Sequence, residues 1–227
     1  MKLTAVILHY YPERTKNIPI IVKDLRSNSH PPDEIIIFNN NPKMTYSGDG
    51  TIINSGKNYG GRARYLIALL EPSDYYYFLD DDITVGKNAI ENFLKYAHDG
   101  CCYGYWGKTI NPKINQCYFK GSEVYGAKIE KPKEVDLLVG KGTFFIPFSA
   151  FENMIRTENK LLKEGYVFGR EEDLILSMSN RSFVIPAKKD EYFIELPEGG
   201  VAYCHDPNHW KMRDNMAKKL YSIGKDY

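Results

Sequence analysis

Short apolar runs and helical stripes alternate along the first hundred residues. Leu3–His9 is almost unbroken in its apolar character, the pattern of a strand buried on both faces. Ile18, Ile21, Val22 and Leu25 then recur at helical spacing within residues 17–25. Residues 34–38 predict a second strand, closed by the turn-forming Asn39-Asn40-Asn41-Pro42, and Thr51–Asn54 a short third. Residues 60–70 read as a helix stopped by Pro72, residues 75–79 as a fourth strand, and 89–97 as the helix after it. Alternation of this kind implies a mostly parallel sheet with right-handed crossovers.

The pattern changes after residue 100. Residues 101–106, 117–119, 124–129, 135–139 and 143–146 read as strands without long helices between them, which predicts a mixed or antiparallel part. Helical spacing returns over 148–156 and 171–179, and residues 207–223 form a terminal helix with Pro207 in its first turn. No repeat, low-complexity tract or linker interrupts the 227 residues, so the expectation is one α/β domain over 1–227.

Composition narrows the function classes. Thirty Lys and Arg against 29 Asp and Glu leave a net charge of +1, which favours neither nucleic acid nor an anionic membrane as partner. Eighteen tyrosines raise the aromatic share to 14%, and aromatic faces suit sugar rings and nucleobases. Cys101, Cys102, Cys117 and Cys204 show no CxxC or zinc-type spacing and read as reduced core thiols. The first apolar run is too short for a signal peptide and no run reaches transmembrane length, so a cytoplasmic location is expected.

The strongest chemical signal is Tyr75-Tyr76-Tyr77-Phe78-Leu79-Asp80-Asp81-Asp82, an aromatic strand that ends in three consecutive carboxylates. Adjacent like charges raise one another's pKa values unless a cation sits among them. At the C-terminal end of a strand they point into the crevice where open α/β sheets bind ligands. Hard carboxylate oxygens suit Mg²⁺ or Mn²⁺, ions that usually arrive bridging substrate phosphates. Gly60 and Gly61 allow close backbone approach at a helix start, where Arg62 and Arg64 oppose the helix dipole and so call for a compensating anion.

Leu79-Asp80-Asp81-Asp82 resembles the DxD motif of GT-A glycosyltransferases, and Asn58-Tyr59-Gly60-Gly61-Arg62-Ala63-Arg64 resembles the N-x-G…A-R segment of family-2-like members. Gly169-Arg170-Glu171-Glu172-Asp173 resembles their later acidic motif. The resemblance spans nearly the whole chain and extends to exostosin-type enzymes. It also extends to the first domain of large virus-encoded glycosyltransferases, which leaves room for a longer multidomain chain in a host cytoplasm. It implies a Rossmann-like nucleotide-sugar-binding half over 1–100 and an acceptor and catalytic half over 101–227. It also implies a UDP-sugar donor, a glycan or glycoprotein acceptor and Mn²⁺ (or Mg²⁺) as cofactor.

By the same resemblance Asp82 ligates the metal, Asp80 reaches the metal or the ribose, and His205, preferred over His209, is the third ligand. Asp81, alternating to the other side of an extended segment, is expected to face the donor sugar. His9, Tyr10, Tyr11 and Arg14 occupy the pyrimidine and phosphate position, and the Asn39 amide is expected to read the uracil edge. Lys211 and Arg213 are placed to screen the diphosphate. Asp173 matches the position of the catalytic base, with Glu172 beside it. Residues 139–145, with Gly140 and Gly142, match the acceptor-lining segment, and Trp106 and Trp210 offer stacking faces.

Two departures limit the match. Asn39-Asn40 stand where an aspartate is common, and no Q-x-x-R-W motif follows the acidic cluster, which argues for single-sugar transfer. Residues 78–84 also fit the DxDxT nucleophile motif of haloacid-dehalogenase phosphatases. That motif belongs on a first strand, however, and here three strand signals precede it. A non-catalytic sugar-binding module remains a third reading of the aromatic content.

Overall fold

The structure is a computed structural model that describes residues 1–98, 100–139, 143–169, 171–199 and 208–224. The parallel part forms as the sequence predicts. β1 (Leu3–His9) lies between β2 (Glu34–Asn39) and β4 (Tyr75–Asp80), with β3 (Thr51–Asn54) outside β2, and all three pairings are parallel. α1 (Ile18–Arg26), entered through a 3₁₀ turn at 12–17, buries Ile18, Ile21, Val22 and Leu25 and tolerates Pro19 in its first turn. α2 spans Ala63–Ala68 and α3 spans Ala89–Tyr96. Between β4 and α3 a short β5 (Ile83–Val85) pairs antiparallel with β13 (Phe193–Glu195).

The second half completes the sheet. Its elements are β6 (Cys101–Gly104), β7 (Trp106–Thr109), β8 (Ser122–Tyr125), β9 (Lys133–Val135), β10 (Leu137–Leu138), β11 (Phe144–Pro147), α4 (Ala150–Lys163), α5 (Glu172–Met178), β12 (Arg181–Val184) and α6 (His209–Ile223). The main sheet has the order β3-β2-β1-β4-β11-β6-β12-β9. β11 runs antiparallel to both β4 and β6, and β12 parallel to β6, so the parallel half passes into a mixed one. β10, β7 and β8 make a smaller sheet.

Alternation along β4 shows why the sheet is buried on both faces. Tyr76 and Phe78 pack with Tyr65, Phe151 and Leu174 on one side, while Tyr77 and Leu79 pack with Ile18, Ile21 and Phe93 on the other. Fully burying each such side chain contributes about 1.5–3 kcal/mol. Among the described residues no helix is long and apolar enough to cross a membrane. Cys101, Cys102 and Cys117 are buried free thiols, and Cys204 lies outside the described residues.

Three local expectations are corrected. Residues 101–106 are two strands in different sheets, because the chain steps inward at Tyr105, whose ring packs 4.4 Å from Phe93 and whose hydroxyl donates to Ala89 O. Residues 117–119 lie in a run of turns around Gln116, at φ 57°, with Cys117 and Tyr118 buried as core rather than as strand. α2 begins only at Ala63, since Gly60, at φ 71°, holds the preceding turn. α6 begins at His209, and Pro207 lies outside the described residues.

Candidate active site

β1 and β4 are parallel neighbours with Leu8 opposite Asp80, so the segments following both strands leave the same edge of the sheet side by side. The three aspartates then diverge. Asp80, the last residue of β4, retains 27% side-chain exposure, and its Oδ1 lies 2.6 Å from Arg64 Nη2. Burial pushes the Asp80 carboxyl up to about 7, with Asp82 and Asp81 adding to the rise, although Arg64 pulls in the opposite direction.

Asp81 turns away from the crevice, contrary to its expected position facing the donor. Its carboxylate accepts from Arg14 Nη1 at 2.9 Å and from the Tyr10 amide at 3.1 Å, and lies 2.7 Å from His9 Nδ1. Burial alone would raise its pKa. The hydrogen bonds from His9, Arg14 and Tyr10 outweigh burial and hold it below the usual carboxylate range. An ionised carboxylate only accepts, so His9 Nδ1 donates to it, while Nε2 lies 3.0 Å from Thr15 Oγ1, whose hydroxyl donates to Met44 Sδ. His9 is therefore committed at both ring nitrogens and fully buried.

Arg14 Nη1 also reaches Asp82 Oδ2 at 3.2 Å, while its Nε donates to Glu198 O. Its guanidinium carbon lies 4.9 Å from the centre of the half-buried Tyr11 ring, which meets Tyr10 edge-on at 5.1 Å. Asn17 donates to Asp81 O and Pro197 O, and Asp82 O accepts from the Leu196 amide. Residues 196–198 thus lace over the aspartates, an arrangement no sequence motif announces.

Asn39 is likewise engaged within the protein. Its Nδ2 donates to Met44 O and Asn54 Oδ1, and its Oδ1 accepts from the Asn41 amide. Both amide atoms are used, so the uracil-reading role does not fall to this side chain. Its neighbour Asn40 holds the glycine turn instead, through Asn58 Oδ1, Gly60 O and the Tyr59 amide.

The anions called for by Arg62 and Arg64 come from the chain itself. Arg64 meets Asp80, and Arg62 Nη2 meets Glu158 Oε2 at 2.6 Å beneath the Phe168 ring. Glu172, at the start of α5, packs against Gly61 so closely that a Cβ there would overlap its Oε1. Glu172 is raised by burial and by Asp173, against the pull of Arg64, and its buried Oε2 has no hydrogen-bond partner. Asp173 is gripped by Arg213 of α6 through Nη1 at 3.0 Å and Nη2 at 2.5 Å. Arg213 is thus a buried partner of Asp173 rather than a solvated group near a diphosphate, while Lys211 is exposed. Trp106 stacks on Tyr125 at 5.4 Å.

The aspartates, the glycine turn and the α5 start are brought together through Arg64, which feels both Asp80 and Glu172. Asp80 and Asp82, two residues apart, are held by Arg64 and Arg14 respectively. Among the described residues no group of three His, Cys, Asp or Glu side chains is placed to hold an ion. His205, Arg170 and Gly140–Gly142 lie outside the described residues.

No protein-family model matches the sequence, and no curated protein matches it. Solved structures share the fold. Residues 1–349 of TarS from S. aureus, solved with UDP-GlcNAc, superpose with a TM-score of 0.63 at 15% identity, covering 100% of this chain and 68% of that one. GalNAc-T7, solved with UDP, GalNAc and Mn²⁺, gives 0.56 at 11% identity over 85% of this chain. The mannosyltransferase PcManGT from Pyrobaculum calidifontis, solved with GDP-Man and Mn²⁺, gives 0.52 at 15% identity over 100% of this chain. The chain spans 45% of the GalNAc-T7 chain and 66% of PcManGT. The fold is the GT-A glycosyltransferase fold, as the motifs implied.

Proposed function

We propose that this GT-A chain transfers one sugar from a UDP-sugar to a hydroxyl of a glycan or glycoprotein acceptor, non-processively, with Mn²⁺ or Mg²⁺ held by Asp80 and Asp82. The observation that carries the reading is the placement of Asp80 and Asp82 together at the C-terminal end of β4, in a fold shared with structures solved with nucleotide-sugars. The Asp80 side chain keeps 27% exposure, which leaves its carboxylate within reach of a cation. Mg²⁺ commonly uses one or two carboxylates and takes its other ligands from water and phosphate oxygens, so the two aspartates fit such an ion. When bound, it stabilises the charge that develops on the departing diphosphate. His205 remains the proposed third ligand.

The chain's own residues supply the rest. Tyr10 and Tyr11 line the nucleobase side, with Arg14 fixing the loop that carries them. Arg64 and Arg62 stay paired with Asp80 and Glu158, and exposed Lys211 faces the diphosphate side in this reading. For an inverting transfer, Asp173 takes the acceptor hydroxyl proton as that oxygen bonds to the anomeric carbon. The bond from this carbon to the phosphate oxygen breaks, and the diphosphate leaves with the electron pair. Arg213 orients Asp173, and Glu172 with its unpartnered oxygen lies one residue away.

Thermal melting against UDP, GDP, CMP and dTDP, each with and without Mn²⁺, tests the proposal. Nucleotide at a hundred times its Kd stabilises by about 2.7 kcal/mol. For a chain of this size that is a rise of roughly 5–10 °C, expected for UDP with metal. Equal, negligible shifts for all four nucleotides would sink it.

A further inference from the structure

We infer that the acceptor carries a pyranose ring that stacks on an aromatic platform built by Trp210 and Phe119, beside the Asp173–Arg213 pair. The inference rests on the glycosyl-transfer reading and names its acceptor subsite. Phe119 is 58% exposed and Trp210 40% exposed, and their rings meet edge to face at 5.5 Å and 75°. Trp210 also meets His209 edge-on at 5.0 Å and Tyr118 at 5.9 Å.

The exposure is not that of a loose loop. Cys117 and Tyr118, which precede Phe119 within the turn, are buried, and the Tyr118 amide donates to Asp214 Oδ1 of α6 at 3.1 Å. The Lys120 amide closes the turn on Gln116 O at 2.8 Å, with Gln116 in the left-handed region at φ 57°. A non-glycine residue held there costs of order 1–3 kcal/mol and persists only where its surroundings enforce it. The turn therefore holds Phe119 out in water on a fixed frame, against the hydrophobic preference of about 25 cal/mol per Å².

The chemistry of the patch selects its occupant. A sugar presents an apolar C–H face that covers an aromatic ring, and hydroxyls that need a polar rim. Gln116 and Lys120, on the turn that carries Phe119, are exposed polar residues. Two rings are far short of the roughly 1,200 Å² that a stable protein interface buries. Position supports the same occupant. Trp210 and Arg213 are three residues apart on α6, about 5–6 Å between Cβ atoms. Arg213 spans the Tyr118 ring at 4.6 Å and grips Asp173. A ring stacked on Trp210 thus lies next to the carboxylate proposed to take the acceptor proton.

Saturation-transfer NMR on the full chain with UDP and Mn²⁺ tests this, with cellobiose, lactose, maltose and N,N′-diacetylchitobiose as probes. At least one saccharide is expected to receive magnetisation at its ring C–H protons. The transfer is lost in Trp210→Ala and in Phe119→Ala and retained in Trp210→Phe, while all three keep the wild-type melting point and nucleotide-induced shift. In a transfer assay with the responding sugar, Trp210→Ala raises the acceptor KM about tenfold, equivalent to ~1.4 kcal/mol. Saturation transfer that persists in both alanine variants overturns the platform. So does silence from every saccharide alongside an intact nucleotide shift, or a dimer that Trp210→Ala dissociates. An absent nucleotide shift in the wild type overturns the transfer reading instead, and a saccharide response lost in the variants then still supports the platform.

Discussion

Replacing Asp80 with asparagine separates the charge of the aspartate cluster from its shape. Burial pushes the folded Asp80 carboxyl up to about 7, whereas an unfolded aspartate titrates near 3.9. Between roughly pH 4 and 7 the native chain therefore holds a proton that the unfolded chain has released. Stability rises with pH only where the unfolded state binds more protons, so here it falls as pH rises through this window. About three pKa units at 1.36 kcal/mol each give a loss of about 4 kcal/mol by pH 8. Asparagine copies the neutral carboxyl and has no proton to lose. Asp80→Asn is therefore expected to match the wild type near pH 4 and to exceed it by up to ~4 kcal/mol at pH 8. Urea unfolding of both proteins in EDTA, from pH 4.5 to 8, measures the difference. Titrations shared by both proteins, Asp81 among them, cancel in the comparison. Parallel stability curves, or a variant weaker than the wild type throughout, would refute the reasoning and mark Asp80 as a plain stabilising partner of Arg64. Adding UDP with Mn²⁺ should flatten the wild-type slope and leave the variant unchanged.

Three further outcomes are expected. Asp81→Ala strands the buried His9 Nδ1 donor and leaves Arg14 with Asp82 and Glu198 O, which should lower stability by about 3–5 kcal/mol in denaturant titration. Because the native Asp81 pKa is depressed, its contribution is present above the unfolded value and lost as pH falls below about 4, so the variant's acid limb should be flatter. Gly61→Ala drives a methyl group into Glu172. A stability loss of about 1–3 kcal/mol with a larger fall in kcat is expected, and unchanged turnover would count against a working role for Glu172. Arg213→Lys replaces a two-point grip on Asp173 with a single charge. Steady-state kinetics should show kcat falling about tenfold or more with the donor KM unchanged, and a raised donor KM alone would place Arg213 on the donor side.

The parallel half was legible because its strands are buried on both faces and so carry unbroken apolar runs. β12 escaped notice because Arg181 and Ser182 break its apolar pattern, while Cys117 and Tyr118 imitate a strand although they are turn residues packed inward. At the site, sequence reading placed charges well and directions poorly. Arg62 and Arg64 did require anions, but those anions are Glu158 and Asp80, 96 and 16 positions further along. Asp81, His9 and Asn39 belong to residue types that bind ligands, yet each is turned inward by partners that local spacing does not reveal. The grip of Arg213 on Asp173 joins residues 40 apart and had no local signal at all.

The inward turn of Asp81 has a consequence for how the site meets its ligand and how it evolves. With His9, Arg14 and the Tyr10 amide tied to one carboxylate, residues 10–17 are ordered when the chain folds, and that entropy is not charged to binding. Donor association should therefore proceed without a slow ordering phase, and its heat-capacity change should follow the area covered alone. Changing any one of the three side chains strands a buried charge or donor, whereas changing all three together does not. Across related chains His9, Arg14 and Asp81 should vary as a set, while Asp80 and Asp82 on either side stay fixed.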